Sequence, residues 1–310
     1  MALADKASDD GKPEVHLGAN FPLTLTAQTA SVDGDLWYEA NWQTPSLHGT
    51  GWLPASAVTI TQPTGGAVAS FDALDVNLAS YLAGYGTRVG VDVLDVTRGT
   101  SYAYNADLSF YVASSMKVPI MLTFLTQLEA KGREPNDYEL SLLTTMIENS
   151  NNDSATKLWT DIGYQRGIRA FMRGVGISGL SPATPVVGWG YSTIRPSTMV
   201  ALLDRLHEGT VLNKADRKLA IYLMEHIQAD QRVGVGASSP SGATVAMKDG
   251  WTSIKGPSGP YFMNSSGIVT LGDETYIIAI YTDSDQSYGE GYKITRNVAR
   301  IVGERLMGSS

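Results

Sequence analysis

Cysteine is absent from the chain, and histidine is scarce. Without cysteine the protein can form no disulfide, no thiol nucleophile and no cysteine-ligated metal site. Its histidines form no H-x-x-x-H pair and lie far apart, at His16, His48, His207 and His226. A Ser-His-Asp triad and a histidine-based zinc site are therefore disfavoured. We predict that proton transfer falls to lysine, carboxylate or tyrosine side chains, and that the protein uses no cofactor.

The chain also lacks an excess of basic residues and any long apolar run. Lysine and arginine total 23 against 31 acidic residues, which gives a net charge of −8. This balance argues against a nucleic-acid partner, since such partners usually select a basic face. No apolar stretch approaches the roughly 20 residues that cross a bilayer. The polar residues 1–13 lack the apolar core of a signal peptide, and we interpret them as a flexible tail.

A change in sequence character divides the rest of the chain. Residues 14–62 contain short aromatic or β-branched runs, "LWYEANW" and "GTGWLPASAVTI", separated by Gly, Pro and Ser, which is typical of a small all-β unit. The second run resembles the closing strands of bacterial SH3-like modules. "TQPTGGAVAS", residues 61–70, has the composition of a linker. We therefore predict an SH3-like domain at 14–62 and a larger catalytic domain at 63–310.

The larger domain shows strand patterns at both ends and helical periodicity in the middle. A helix is predicted over residues 71–86, followed by a strand at "RVGVDVLDV". Helical spacing then dominates to about residue 230, strands return between residues 243 and 283, and an amphipathic helix ends the chain. These patterns predict an α+β fold in which an antiparallel sheet, flanked by helices, carries an inserted all-helical lobe.

The first chemical motif is "FYVASSMKVPIML", which places a lysine at the start of an apolar helix. Ser114 and Lys117 are three residues apart and share a helix face. At the start of a helix the unpaired N–H groups and the macrodipole favour both an oxyanion and a neutral lysine. Pro119 lacks the N–H that would bond the Ser115 carbonyl, so we expect distorted first turns. The alternative is that Lys117 extends its ammonium group to water.

Two further motifs follow. Ser150-Asn151-Asn152 ends one predicted helix and begins another, where a hydroxyl and a carboxamide can face a cleft, although these residue types also simply terminate helices. "MKDGWTS" puts Lys248, Asp249 and Gly250 on a predicted strand, which could equally be a strand running into a turn. A glycine there often marks the close approach of a ligand or another backbone. A second S-x-x-K, "SATK" at 154–157, lies downstream of the S-x-N motif.

In the order S-x-x-K, S-x-N, K-x-G, the motifs resemble those of the penicillin-recognising serine enzymes, the DD-peptidases and serine β-lactamases. The resemblance covers about residues 66–310, and "SNNDSATKLW" and "STIRPSTM" are similar to the class A branch. It implies a β-lactamase/transpeptidase-like fold, with Ser114 as nucleophile and Lys117 as its general base. The same resemblance implies an extracytoplasmic location, either periplasmic or secreted.

The remaining site residues are also implied by this resemblance. Ser150 would relay a proton to the leaving nitrogen, Asn152 would hold the substrate amide, and Lys248 would bind a substrate carboxylate. The backbone N–H groups of Ser114 and Trp251 would form the oxyanion hole. The other substrate-binding positions would be Asp249, Gly250 and Thr252.

Three departures from the family pattern bear on the outcome of the reaction. Asn151 replaces the usual acid of S-D-N, and Asp249 replaces the hydroxyl residue of K-T-G. Class A β-lactamases place a glutamate after the S-D-N helix to activate water for deacylation. Here residues 162–203 contain neither Asp nor Glu. The resemblance thus implies acylation without the usual hydrolytic base.

We therefore predict a serine hydrolase of the DD-peptidase kind that forms an acyl-enzyme with β-lactams or D-Ala-D-Ala-like peptides and deacylates slowly. A class A-like β-lactamase with another deacylation route is the first alternative. The second is a cell-wall-binding or sensory module without turnover. The predicted partners are small-molecule or peptide substrates, with no nucleic acid and no membrane span.

Overall fold

The computed structural model describes residues 88–253 and 259–307 throughout. Before residue 88 it describes five strands and four isolated residues, Leu78, Tyr81, Leu82 and Tyr85. The predicted linker at 61–70 and nearly all of the helix predicted over residues 71–86 lie outside the described residues. The chain divides into two compact units, Met1–Gly66 and Ala67–Ser310.

The first unit contains one antiparallel sheet of five strands, in the order β2-β1-β5-β4-β3. Their bounds are β1 Ala2–Ala4, β2 Pro13–His16, β3 Thr24–Val32, β4 Asp35–Gln43 and β5 His48–Pro54. Strand β1 pairs with both β2 and β5. The flexible tail expected at residues 1–13 stays a prediction for the rest of that range, most of which lies outside the described residues. The SH3-like character of this unit stays a prediction.

A second antiparallel sheet of five strands, in the order β11-β12-β13-β6-β7, forms the centre of the second unit. Its strands are β6 Arg88–Asp95, β7 Thr100–Tyr104, β11 Thr244–Ser253, β12 Tyr261–Leu271 and β13 Glu274–Asp283. The strands thus come from both ends of this unit, as predicted. Strand β11 lies at the edge of the sheet, which leaves part of its backbone unpaired by a neighbouring strand.

The helices of the described residues follow the apolar periodicity of the sequence. They are α1 Lys117–Glu129, α2 Asp137–Glu148, α3 Asn152–Asp161, α4 Tyr164–Gly174, α5 Pro196–Glu208, α6 Lys214–Glu225, α7 Gly234–Ser238 and α8 Tyr288–Met307. Asn136 begins α2 with a capping box to Glu139, and Gly209 ends α5 in the left-handed conformation. The α+β fold with an inserted helical lobe is confirmed.

A small three-stranded sheet lies next to the start of α1. Strand β10 Thr193–Ile194 pairs with β8 Phe110–Tyr111 on one side and β9 Leu180–Ser181 on the other. The segment between β9 and β10 is thereby held beside the residues that precede Ser114. None of the helices in the described part of the chain is long and apolar enough to cross a membrane.

Candidate active site

Ser114 lies in a 3₁₀ turn, Ala113–Met116, and the α-helix begins only at Lys117. This tighter start agrees with the distortion that we expected from Pro119. In a 3₁₀ turn side chains three apart are eclipsed, so Ser114 and Lys117 project to the same side. Ala113 has a φ of 43°, which is uncommon for a residue with a side chain and costs free energy. The turn is thus held in a geometry that the surrounding fold must maintain.

The ammonium nitrogen of Lys117 is the centre of a hydrogen-bonded cluster. Its Nζ lies 2.9 Å from Ser114 Oγ, 2.9 Å from Ser150 Oγ and 2.9 Å from Asn152 Oδ1. It also donates to the Ser150 carbonyl at 2.6 Å. The structure therefore brings together the first two predicted motifs on one nitrogen atom. Lys117 has no solvent exposure, so the alternative of a lysine that reaches out to water is wrong.

The surroundings of Lys117 favour its neutral form. Burial, reinforced by the positive charge of Lys248, lowers the pKa of Lys117 to about 7. A substantial fraction of the side chain can thus be unprotonated at neutral pH. A neutral amine 2.9 Å from a hydroxyl is positioned to accept its proton.

The Ser150-Asn151-Asn152 loop owes its shape to a helix cap. The Asn151 side chain accepts a hydrogen bond of 2.8 Å from Ser154 N and so begins α3. Asparagine and aspartate serve about equally well at this position, so the change from S-D-N keeps the structural part of the motif. Ser150 has a φ of 53°, which turns both its carbonyl and its hydroxyl towards Lys117.

Strand β11 packs directly against the 3₁₀ turn that carries Ser114. A Cβ atom added to Gly250 would lie 2.6 Å from Ser114 N and 2.7 Å from Ser115 N. Only glycine permits this approach between the two backbones. The third predicted motif therefore meets the first, with the edge of the sheet beside Ser114.

Alternation along β11 separates the two charged residues of the K-D-G motif. Lys248 and Gly250 face the Ser114 side of the sheet, and Asp249 faces the other side. Both charged side chains have no solvent exposure. Lys248 Nζ donates to the Asp249 carbonyl at 3.1 Å, and burial lowers the pKa of Lys248 to about 8. Binding of a substrate carboxylate by Lys248 stays a prediction.

Asp249 differs from the substrate contact that we expected. Its Oδ2 accepts a hydrogen bond of 2.7 Å from Val233 N, and its partner in register on β12, Ser265, accepts one of 2.9 Å from Val235 N. Together they hold the start of α7 against the sheet. Burial raises the pKa of Asp249 to about 7. This carboxylate supports the back of the sheet, because strand alternation points it away from the cleft.

Trp251 and Thr252 continue β11 beyond Gly250, and both are half-buried. Thr252 lies on the same face as Lys248 and Gly250, which suits a substrate contact. The Trp251 ring packs edge-on against Tyr288, with ring centroids 5.7 Å apart. Its backbone N–H belongs to the edge strand beside Ser114, and its role in an oxyanion hole stays a prediction.

The second S-x-x-K motif, at residues 154–157, has a structural role. Ser154 Oγ bonds Thr145 Oγ1 at 2.8 Å, and Lys157 forms an ion pair with Asp161. The histidine argument also agrees with the geometry, since His226 ends α6 and stacks on Tyr222. Among the described residues, no cluster of three or more His, Asp or Glu side chains could hold a metal ion.

Sequence reasoning missed one neighbour of the catalytic cluster. The indole ring of Trp189 lies over Lys117, with Nζ 5.1 Å from the ring centroid. Trp189 belongs to a 3₁₀ turn, Trp189–Tyr191, in the segment that lacks acidic residues. The signal available in the sequence was the pair of aromatic residues Trp189 and Tyr191, which lie in a segment that has no carboxylate.

Comparisons with known proteins bear on the family and the fold. A model described as the β-lactamase enzyme family matches residues 73–139 and 133–306. No curated protein matches the chain. Among solved structures, the TLA-1 extended-spectrum β-lactamase is 20% identical over 76% of this chain and 99% of that chain, with a TM-score of 0.69.

Two further structures show the same fold. A class A β-lactamase from Bacteroides cellulosilyticus is 17% identical over 76% of this chain and 98% of that chain, with a TM-score of 0.67. A mutant of PBP-A, solved as its acyl-enzyme complex with penicillin G, is 18% identical over 75% of this chain and 96% of that chain, with a TM-score of 0.66.

Proposed function

The chain belongs to the β-lactamase enzyme family, and from this premise we propose that it is a serine acyl-transfer hydrolase that forms a covalent acyl-enzyme at Ser114. Its substrates are β-lactams or D-Ala-D-Ala-like peptides. The observation that carries the proposal is the position of Lys117 Nζ, 2.9 Å from Ser114 Oγ in a site that lowers its pKa to about 7.

In the acylation step the proton of Ser114 Oγ passes to neutral Lys117 while Oγ attacks the substrate carbonyl carbon. The backbone N–H groups of Ser114 and Trp251 stabilise the oxyanion that develops on the carbonyl oxygen. The C–N bond then breaks, and the leaving nitrogen takes a proton through Ser150. Since Ser150 Oγ also lies 2.9 Å from Lys117 Nζ, the proton has a short path from Lys117 to the leaving group.

The substrate is held from both sides of the cleft. Asn152 projects its amide from the start of α3, where its Oδ1 already accepts from Lys117 and its NH₂ group can donate to a substrate carbonyl. Thr252 and the positive charge of Lys248 act from the β11 side. A substrate with a carboxylate near its scissile amide suits this arrangement.

We further propose that deacylation is slow, as in a penicillin-binding DD-peptidase. Among the described residues, the hydrogen bonds of Lys117 Nζ go to hydroxyl, carbonyl and amide oxygens and not to a carboxylate. Loss of a general base for water typically costs about 10²–10⁴ in rate, which lengthens the lifetime of an acyl-enzyme accordingly.

A β-lactamase with another deacylation route is the second candidate. It is favoured by Lys117 itself, because a lysine with a pKa of about 7 can also activate water. A module without turnover is disfavoured by the assembly of Ser114, Lys117 and Ser150 around shared hydrogen bonds. An extracytoplasmic location and peptidoglycan stem peptides as natural substrates accompany the DD-peptidase proposal.

Intact-mass analysis after exposure to penicillin tests the proposal. We expect a stoichiometric adduct on Ser114 that persists after excess drug is removed, and no adduct in Ser114→Ala. The acylation rate should rise with pH through about 7, because only neutral Lys117 accepts the proton. Rapid steady-state hydrolysis of penicillin would refute slow deacylation, and a label on Ser154 would refute the assignment of the nucleophile.

A further inference from the structure

The segment between β9 and β10 carries an aromatic ring onto the face of Lys117. Trp189 Nε1 donates to Thr156 Oγ1 of α3 at 3.1 Å, and Lys117 Nζ lies 5.1 Å from the indole centroid. A cation within about 6 Å of a ring centroid is attracted by the negative face of the ring, and indole gives the strongest such interaction.

This placement is fixed by backbone contacts of the two residues that follow the turn. Val112 N donates to the Ser192 carbonyl at 3.0 Å, and Thr193 pairs with Tyr111. Gly188, just before the turn, has a φ of 94°, which strongly favours glycine. The segment that carries the ring is thus bonded to β8, the strand that leads into Ser114. Through Thr156 the ring is also bonded to α3.

We propose that Trp189 is a positioning residue whose ring stabilises the protonated form of Lys117 that arises when Ser114 gives up its proton. This inference rests on the proposed acylation at Ser114. The ring supplies negative potential where the cluster offers only neutral oxygens. Because an indole has no basic site to take a proton from water, it supports acylation without adding a base for deacylation.

The charged and polar groups around Lys117 explain why an aromatic ring is needed beside it. From β11, Lys248 repels a charge on Lys117, and burial disfavours that charge further. The oxygen atoms that face Lys117 come from Ser114 in the 3₁₀ turn, from Ser150 and from Asn152 at the start of α3. Too weak a base would draw the Ser114 proton poorly, and an aromatic face raises the basicity of Lys117.

Replacement of Trp189 by leucine separates the two effects of the ring. Leucine keeps an apolar cover over Lys117 but has no aromatic face. The pKa that governs acylation should therefore fall by about 0.5 to 1, and the rate at high pH should fall several-fold because the neutral lysine is a weaker base. Trp189→Phe retains a face and should stay close to the wild-type pH profile.

Two matched variants serve as controls. Tyr191→Leu removes an exposed ring from the same 3₁₀ turn, one that packs edge-on against Tyr111 and does not cover Lys117. Thr156→Val removes the hydrogen bond to Nε1, while the backbone contacts of Ser192 and Thr193 still hold the turn that carries the indole. Both should keep the governing pKa of the wild type. Thermal unfolding of each variant identifies any that has lost its fold.

The measurement is the rate of adduct formation with penicillin, followed by intact mass from pH 5 to pH 9. An unchanged or raised governing pKa in folded Trp189→Leu would overturn the role of the ring, as would an equal downward shift in Tyr191→Leu. Failure of the proposed function gives a different result, since the wild-type protein would then form no adduct on Ser114 at any pH.

Discussion

Substitution of Gly250 by alanine should disable Ser114, the proposed nucleophile, without unfolding the protein. The added methyl group would lie 2.6 Å from Ser114 N, 2.7 Å from Ser115 N and 3.1 Å from the Val112 carbonyl oxygen. All three neighbours are backbone atoms, so no side chain can rotate away to relieve the contact. Either the edge strand or the turn that carries Ser114 must move.

The required movement sets the size of the effect. Ordinary Cβ contacts begin at about 3.4 Å, so Ser114 N and Gly250 must separate by about 0.8 Å. A displacement of about 1 Å at reacting atoms typically costs about 10²-fold in rate. Loss of a single oxyanion donor costs about 10²–10³, and Ser114 N is a proposed donor. Overpacking of this kind usually lowers the free energy of unfolding by about 1–3 kcal/mol.

Gly190 offers a matched control in the same cleft. An added Cβ there would meet only the Cα of Ala113, at 4.0 Å, which is an ordinary contact. We expect Gly250→Ala to lose at least about 10²-fold in the rate of penicillin adduct formation and Gly190→Ala to stay near wild type. Thermal unfolding should show both variants folded. A wild-type acylation rate in Gly250→Ala would refute the close packing of β11 on the turn that carries Ser114.

Three further predictions follow from the site and the chain. Lys117→Ala should lose about 10²–10⁴ in acylation rate while His226→Ala keeps it, and the reverse result would contradict lysine as the base. Because burial raises the pKa of Asp249 to about 7, its ionisation opposes folding as pH rises. The wild-type unfolding temperature should therefore fall relative to that of Asp249→Asn between pH 5 and pH 8. Parallel curves of unfolding temperature against pH for the two proteins would exclude this effect of Asp249. A fragment of residues 63–310 should fold and acylate, since the chain divides near Gly66; an insoluble fragment would argue against independent units.

Much of the catalytic unit could be predicted because its elements depend on local patterns. The apolar periodicity of residues 118–132 follows from helix geometry, and α1 begins and ends within a few residues of it. Alternation of apolar and polar residues similarly predicted β6. The pairing of Ser114 with Lys117 needed only a spacing of three residues, which any helical turn brings to one face.

The role of Asn151 as a helix cap could partly be predicted from the sequence. Its neighbours already suggested the end of one helix and the start of another, and the structure shows its side chain as the cap of α3. Asp249 was misjudged for a different reason. Its position in the motif suggested a substrate contact, whereas alternation along β11 sends its side chain to the opposite face from Lys248.

The sequence by itself determined the α+β class and the pairing of Ser114 with Lys117, because these depend on order, periodicity and short spacings along one chain. Only the tertiary structure decided which distant groups surround Lys117. The Trp189 ring reaches it from a separate segment, and Gly250 meets the Ser114 turn from an edge strand late in the chain. Such contacts depend on how the sheet, the lobe and the β9–β10 segment pack together, and no local spacing encodes that packing.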